Sequence, residues 1–209
     1  INELFRVQRE KELVRDAIFD LQDKESISYH FPNLLTCDTY WAHIFNLLME
    51  WIPAERPICG WMPHEWFAIG REEVERNIFK EHETRGKHMF YTIGGTALLD
   101  MQFKREWQNP YVSIHTTDET SFDRTYYLHV FDDFLIEVFV QEELALEIDE
   151  FYRQHKILTA ESVAFFEALI NKKSPVRMKI SRKQKKAAQL RKQLTKHFHL
   201  PTELRRDRL

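Results

Sequence analysis

The sequence predicts an α+β fold, with N-terminal helices, a central antiparallel β-meander of about five strands, and C-terminal helices ending in a basic amphipathic helix. Three observations support this. Apolar residues recur at helical spacing through about residue 86, the period shortens to two from His88, and the helical period returns after Val140. The expected organisation is a single α+β domain over 1–170, helical over 1–86, β over 88–140 and helical over 142–171. A basic helical extension over 171–209 follows.

Leu4, Phe5, Leu13, Val14, Ala17, Ile18 and Leu21 share one face of a helix from Asn2 to about Gln22. Residues 26–36 read as irregular, broken by Pro32. Asp38 reads as the N-cap of a helix that runs through Trp51 and ends at Pro53. Pro57, Gly60 and Pro63 punctuate a Trp-rich connection, and a further helix spans about 71–82, with Gly86 beyond its end.

In the β region, two apolar runs flank Gly94-Gly95, a pair suited to a tight hairpin turn. The second run carries Met101 and Phe103. Residues 111–116 make a third strand, and 124–131 and 134–140 make two more, joined at Asp132-Asp133. Leu144, Ile148, Phe151 and His155 then form a helical stripe, and Thr159 caps a helix over 160–171. Ser181 with Gln184 reads as a capping box for the basic helix, which Leu200-Pro201 stops.

With 209 residues, 43% of them hydrophobic and 13% aromatic, the chain has enough apolar surface for a sizeable core. Its 5 Gly and 7 Pro argue against a long disordered linker. No apolar run approaches the roughly 18 residues of a membrane span, and the opening INELFRVQREKELVRD shows no signal-peptide apolar region. Cys37 and Cys59 form neither a CxxC pair nor a zinc-ligand spacing. They read as small buried hydrophobes in a reducing compartment, so a cytoplasmic location is expected.

Charge is the strongest functional signal. Residues 171–209 hold 14 of the 30 Lys and Arg but only two acids, Glu203 and Asp207, for a net +12, against −15 for the rest. On the basic helix, Ala187, Leu190, Leu194 and Phe198 fall on a narrow apolar seam suited to docking. Arg182, Lys185, Lys186, Lys192 and Lys196 fall on the opposite ridge, where they are candidates to contact a polyanion or an acidic partner. The helix lacks the interleaved aromatics of single-strand binders, and the narrow seam argues against membrane insertion.

Catalytic patterns are missing. Asp100, Gln102 and Lys104 alternate on an expected strand, but metal-dependent phosphodiester chemistry needs paired carboxylates beside a Lys, and Gln is a poor substitute. His115 and His129, also on expected strands, are weak metal candidates, with Glu137 on the next strand. Glu137 points away from the face that His129 shares with Ile136 and Val138, so a partly buried, hydrogen-bonded His is the favoured reading. His64-Glu65 is not followed by a His at position 68, which is Ala. There is no G-x-S-x-G, and Gly94-Gly95, placed between strands, is not a phosphate-cradling loop. No cofactor is expected.

Trp41, Trp51, Trp61, Trp66 and Trp107, with Tyr40 and Phe67, read first as packing for the helical layer. The expected function is therefore a non-enzymatic binding or regulatory protein whose basic C-terminal segment contacts nucleic acid or an acidic protein. On that reading, removal of 181–209 leaves the remaining domain folded. One alternative is a small-molecule enzyme or ligand-binding domain with a pocket between the Trp-rich helices and the sheet. Another is an oligomer in which the basic tail of one subunit lies on the acidic surface of the next.

Overall fold

The computed structural model describes residues 13–119, 122–202 and 204, apart from the side chain of His82. The chain builds a mixed α/β fold around a seven-stranded sheet in the order β1-β7-β6-β5-β2-β3-β4. The strands are β1 (Ser26–Phe31), β2 (Ile58–Met62), β3 (Met89–Ile93), β4 (Val112–Thr116), β5 (Tyr126–Phe131), β6 (Phe134–Phe139) and β7 (Val176–Arg182). The helices are α1 (Leu34–Trp51), α2 (Phe67–Gly70), α3 (Glu72–Thr84), α4 (Leu98–Trp107), α5 (Glu142–Gln154), α6 (Ala160–Asn171) and α7 (Gln184–Leu194).

The antiparallel meander is matched only in part. β5 and β6 form the expected hairpin, with Phe131 opposite Phe134 and Asp132 at φ 48° in the turn. β2, β3 and β4, however, run parallel. Parallel neighbours need crossovers, and here α2 with α3, and then α4, supply them. The expected hairpin at Gly94-Gly95 is a strand-to-helix turn. Leu99, Phe103 and Trp107 are spaced four apart and all buried, and this helical stripe overrides the shorter alternation through Met101. Met101 is exposed.

Three strands have no counterpart in the expectation. β2 lies in the Trp-rich connection, short and bounded by Pro57 and Pro63; all five of its residues are buried because both faces of the sheet are covered. β7 alternates buried Val176, Met178 and Ile180 with Arg177 and Lys179, a strand pattern masked by its basic content. β1 is an edge strand, half-buried at every second position, and pairs with β7.

Helix ends also differ. Asn33, not Asp38, caps α1 by accepting from the Thr36 amide at 2.9 Å. Ser181 lies in β7, so the proposed capping box does not form, and the Gln184 amide that opens α7 donates to Asp23 at 3.0 Å. Thr159 does cap α6, and Gly86 follows α3 at φ 63°. Of the first expected helix, 13–19 are helical and residues before 13 lie outside the described part.

The main core lies between one sheet face and α1 to α6. A second apolar cluster on the other face joins Cys59, Trp61, Phe90, Leu128, Val130 and Leu135 to Ala187, Leu190 and Leu194 of α7, and to Leu200 and Leu204. Phe198, past the end of α7, packs on Phe90. Residues 176–204, as far as they are described, thus supply an interior strand and the cover of this second face.

The main core also holds three buried carboxyls, Asp38, Glu65 and Glu75, with Arg71 bound to Asp38. Burial raises Glu75 to about 8 and Asp38 to about 6, and burial with the charge of Glu75 raises Glu65. A carboxyl raised on folding costs stability as pH climbs from its ordinary value through its folded value. Glu75 therefore loses stability between about pH 4.5 and 8. Replacing Glu75 by Gln is expected to flatten the fall of melting temperature over that window. Parallel wild-type and variant profiles would refute this.

Candidate functional site at the ends of the parallel strands

Because β2, β3 and β4 run parallel, their C-terminal ends open on the same edge, where α/β sheets commonly form ligand crevices. A cavity of about 630 Å³ lies there. β2 delivers His64 to it, β3 delivers the turn Gly94–Ala97 that opens α4, and the segment after β4 delivers Asp118. Arg124, ahead of β5, and Asp149, Tyr152 and Arg153 of α5 complete the wall, with Lys156 just beyond that helix.

His64 is the centre of the constellation. Its Nδ1 lies 2.9 Å from Asp100 Oδ2, and its Nε2 lies 3.3 Å from Asp149 Oδ1. The ring stacks on Tyr152 at 4.0 Å, and the Tyr152 hydroxyl donates to the Glu65 carbonyl at 2.5 Å. Burial pushes the imidazole pKa down, but the hydrogen bonds and charges of Asp100 and Asp149 outweigh it and lift the value to about 9. At neutral pH the cavity therefore contains an imidazolium. Asp100 has no solvent exposure, and its Oδ2 also accepts from the Ala97 amide at 3.2 Å. One carboxylate both opens α4 and fixes the orientation of His64.

The turn needs glycine. A Cβ on Gly95 would sit 2.3 Å from Asp100 Oδ2 and 2.7 Å from His64 Nδ1, and one on Gly94 would sit 2.3 Å from the Trp61 ring. The backbone here crosses directly over the His64–Asp100 pair, which only a residue without a side chain can do.

Around this centre the charges are mixed, and most of the cations are already paired. Arg124 is 2.7 Å from Asp149 and 3.8 Å from Glu142, and Arg153 pairs with Glu150 on its own helix. Lys156 has no acidic partner among the described residues. Asp118 accepts from Thr96 Oγ1 at 2.8 Å. The cavity thus combines an imidazolium, two guanidiniums and an ammonium with three carboxylates, Asp100, Asp118 and Asp149, and the opening of a helix.

The residues singled out from sequence lie elsewhere. Arg182 pairs with Asp133 at 2.7 Å. Lys186 pairs at 2.8 Å with the buried Glu137, which also accepts from Tyr126 at 2.9 Å. Burial pushes the Glu137 pKa up, but these bonds outweigh it and hold it below the usual range. Lys185, Lys192 and Lys196 are exposed. The seam Ala187, Leu190 and Leu194 is buried on the chain's own sheet.

His115 and His129 do not meet, because β2 and β3 separate their strands. His129 sits in the core against Trp41, Phe45 and Tyr91, and burial drops its pKa to about 3. His115 stacks on His197 at 4.5 Å. Asp100, Gln102 and Lys104 lie on helix α4 rather than on a strand. Between the sheet and the helices that carry Trp41 and Trp66, only about 10 Å³ remains, room for one water molecule at most and none for a substrate.

No protein-family model matches the chain, and no curated protein matches it. Among solved structures it is similar to TrmBL2, described as an archaeal chromatin protein that shows a novel mode of DNA binding. The identity is 11% and the TM-score 0.42, and the match covers 93% of this chain and 60% of that one. A likeness at this level does not specify a function. No helix among the described residues is long and apolar enough to cross a membrane.

Proposed function

We propose that the chain is a binding protein whose cavity at the ends of β2, β3 and β4 holds a phosphate-bearing ligand. The supporting observation is the convergence of the His64 imidazolium, Arg124, Arg153 and Lys156 on the turn that opens α4. Oxyanions are bound by such sets because charge-assisted hydrogen bonds from fixed donors replace the hydration shell at little reorganisation cost. Asp118 and Asp149 oppose the anion, and they also hold Thr96, His64 and Arg124 in place. Two free, buried cysteines fit the cytoplasmic setting proposed for this function.

Ligand-induced stabilisation tests the reading. A ligand at about 100 times its dissociation constant raises stability by about 2.7 kcal/mol. Inorganic phosphate or a phosphomonoester should raise the melting temperature of the wild type, and the double variant Arg153→Ala, Lys156→Ala should need at least tenfold more ligand. Because His64 is protonated up to about pH 9, the effect should persist at neutral pH and fade as pH rises through that value. No stabilisation by any phosphate compound at low salt would remove the proposal.

A second reading, contact between the basic C-terminal segment and nucleic acid or an acidic protein, is favoured by the exposure of Lys185, Lys192 and Lys196. These three have no acidic partner among the described residues. Arg182 and Lys186 contribute less to that surface because Asp133 and Glu137 engage them. The oligomer reading has less support, since its apolar seam is already covered by the chain itself.

A further inference from the structure

We infer that a second cavity, between α2, the first turn of α3 and α4, binds a small organic amine as its ammonium, with Glu65 as the counter-charge. The cavity measures about 200 Å³. Its walls are apolar, built by Ala68 and Ile69 of α2 and by Leu99, Phe103 and Trp107 of α4. Its acidic groups are Glu65, Glu72 and Glu106, and no Lys, Arg or His lines it among the described residues. An apolar cavity with a few converging polar groups is the usual form of a small-molecule site. Here every charge that those groups can carry is negative. The site stands apart from the phosphate reading, since Tyr152 is the only described residue that borders both cavities.

Glu65 is the deciding group. It lies just ahead of α2, is 4% exposed, lines the cavity and accepts from the Ala68 amide. No cation among the described residues pairs with it. The charges that reach it come from Glu75, Asp38 and Asp100, all acidic, and its charge bears on the phenols of Tyr91, Tyr127 and Tyr152. Arg71 is engaged by Asp38 at 2.5 Å. Burial, together with the charge of Glu75, therefore favours the neutral carboxyl, and a cation beside it restores the ionised form. The rim acids are partly engaged: Arg76 pairs with Glu72 at 2.7 Å, and Gln102 donates to Glu106 at 2.8 Å. They still make the surroundings of the cavity negative, which repels a carboxylate or a phosphate. An ammonium on a short hydrocarbon body answers both features, its charge meeting Glu65 and its body covering the apolar wall. A neutral ligand gains the wall but leaves the carboxyl without a counter-charge.

Calorimetry on the full chain tests this, with cyclohexylamine hydrochloride and cyclohexanol as charged and neutral probes of similar shape. The amine should bind about tenfold or more tighter than the alcohol. Its arrival ionises Glu65, so binding at neutral pH should release a proton, read from the dependence of the heat on the buffer's ionisation enthalpy. Glu65→Gln keeps the shape and an acceptor for the Ala68 amide. It should weaken the amine about tenfold or more, abolish the proton release and leave the alcohol unchanged. Glu72→Gln with Glu106→Gln, both exposed, should weaken the amine about two- to tenfold and decides the location if Glu65→Gln does not fold. Arg153→Ala with Lys156→Ala should leave amine binding unchanged, which separates this site from the phosphate cavity. Equal affinity for the two probes, amine binding without proton release, or full binding by folded Glu65→Gln would overturn the inference. No saturable binding of either probe would remove the site. Tighter binding of Nα-acetyl-lysinamide than of cyclohexylamine would place the cation on a partner's side chain and overturn the small-ligand assignment.

Discussion

Leu194→Asp is expected to cost more than about 4 kcal/mol, enough to leave much of the protein unfolded at 25 °C. Leu194 is 2% exposed and packs in the second apolar cluster with Trp61, Phe90 and Leu128. A carboxylate placed there has no described cation to pair with inside the cluster, and the methyl groups it replaces leave a gap. Leu194→Ala isolates the packing component and should cost about 2–4 kcal/mol. Urea denaturation of both variants measures the difference. A midpoint close to wild type for Leu194→Asp would mean that α7 is not held on the sheet. The same packing changes the expectation for a truncation. Removal of 181–209 strips the cover from Cys59, Trp61, Phe90, Leu128, Val130 and Leu135, and should yield an aggregating or unfolded chain rather than a stable remainder.

Gly95→Ala should have the second large effect, a loss of phosphate binding of about 100-fold or more together with a stability cost of about 1–3 kcal/mol. The added methyl would overlap both Asp100 Oδ2 and His64, and Asp100 has no room to retreat because it is fully buried and bonded to the Ala97 amide. Relief requires breaking the His64–Asp100 contact or moving the turn. The first route drops the imidazole pKa from about 9 toward its ordinary value, and the second displaces the turn that borders the cavity. NMR titration of the His64 ring together with a phosphate titration reads both consequences. An unshifted pKa with wild-type affinity would show that the close crossing at Gly95 is not what sets the site.

Local structure was legible where one segment carried its own signal. The helices α3, α5 and α6, the Thr159 cap and the β5–β6 hairpin all follow from signals within a few turns or one strand pair. The chain direction of neighbouring strands was not legible, because parallel and antiparallel partners share the same alternation. Gly94-Gly95 illustrates the consequence: the pair suits a hairpin turn and equally suits a strand-to-helix turn under a buried carboxylate. The deciding signal was the four-residue spacing of Leu99, Phe103 and Trp107, which extends further than the local alternation through Met101 and Phe103.

The site itself was harder to read. His64, Asp100 and Asp149 stand 36 and 49 residues apart, respectively, in successive steps along the chain, and only the parallel crossovers bring them together. The charge split was real but incomplete as a guide. Arg182 and Lys186 are committed to Asp133 and Glu137, whereas Arg124, Arg153 and Lys156 gather at the cavity from the more acidic part of the chain.

Phosphate occupancy of the cavity at the ends of β2, β3 and β4 is open to direct observation. It is tested most directly by adding inorganic phosphate to the isotope-labelled protein at low salt and following His64, the Gly95 and Thr96 amides, and the Arg124 and Arg153 side chains. These resonances should shift together along one saturable curve, and Lys185 and Lys192 on α7 should not follow it. Resonances at the cavity that stay in place while phosphate is added, or that drift without saturating alongside the exposed lysines, would contradict it.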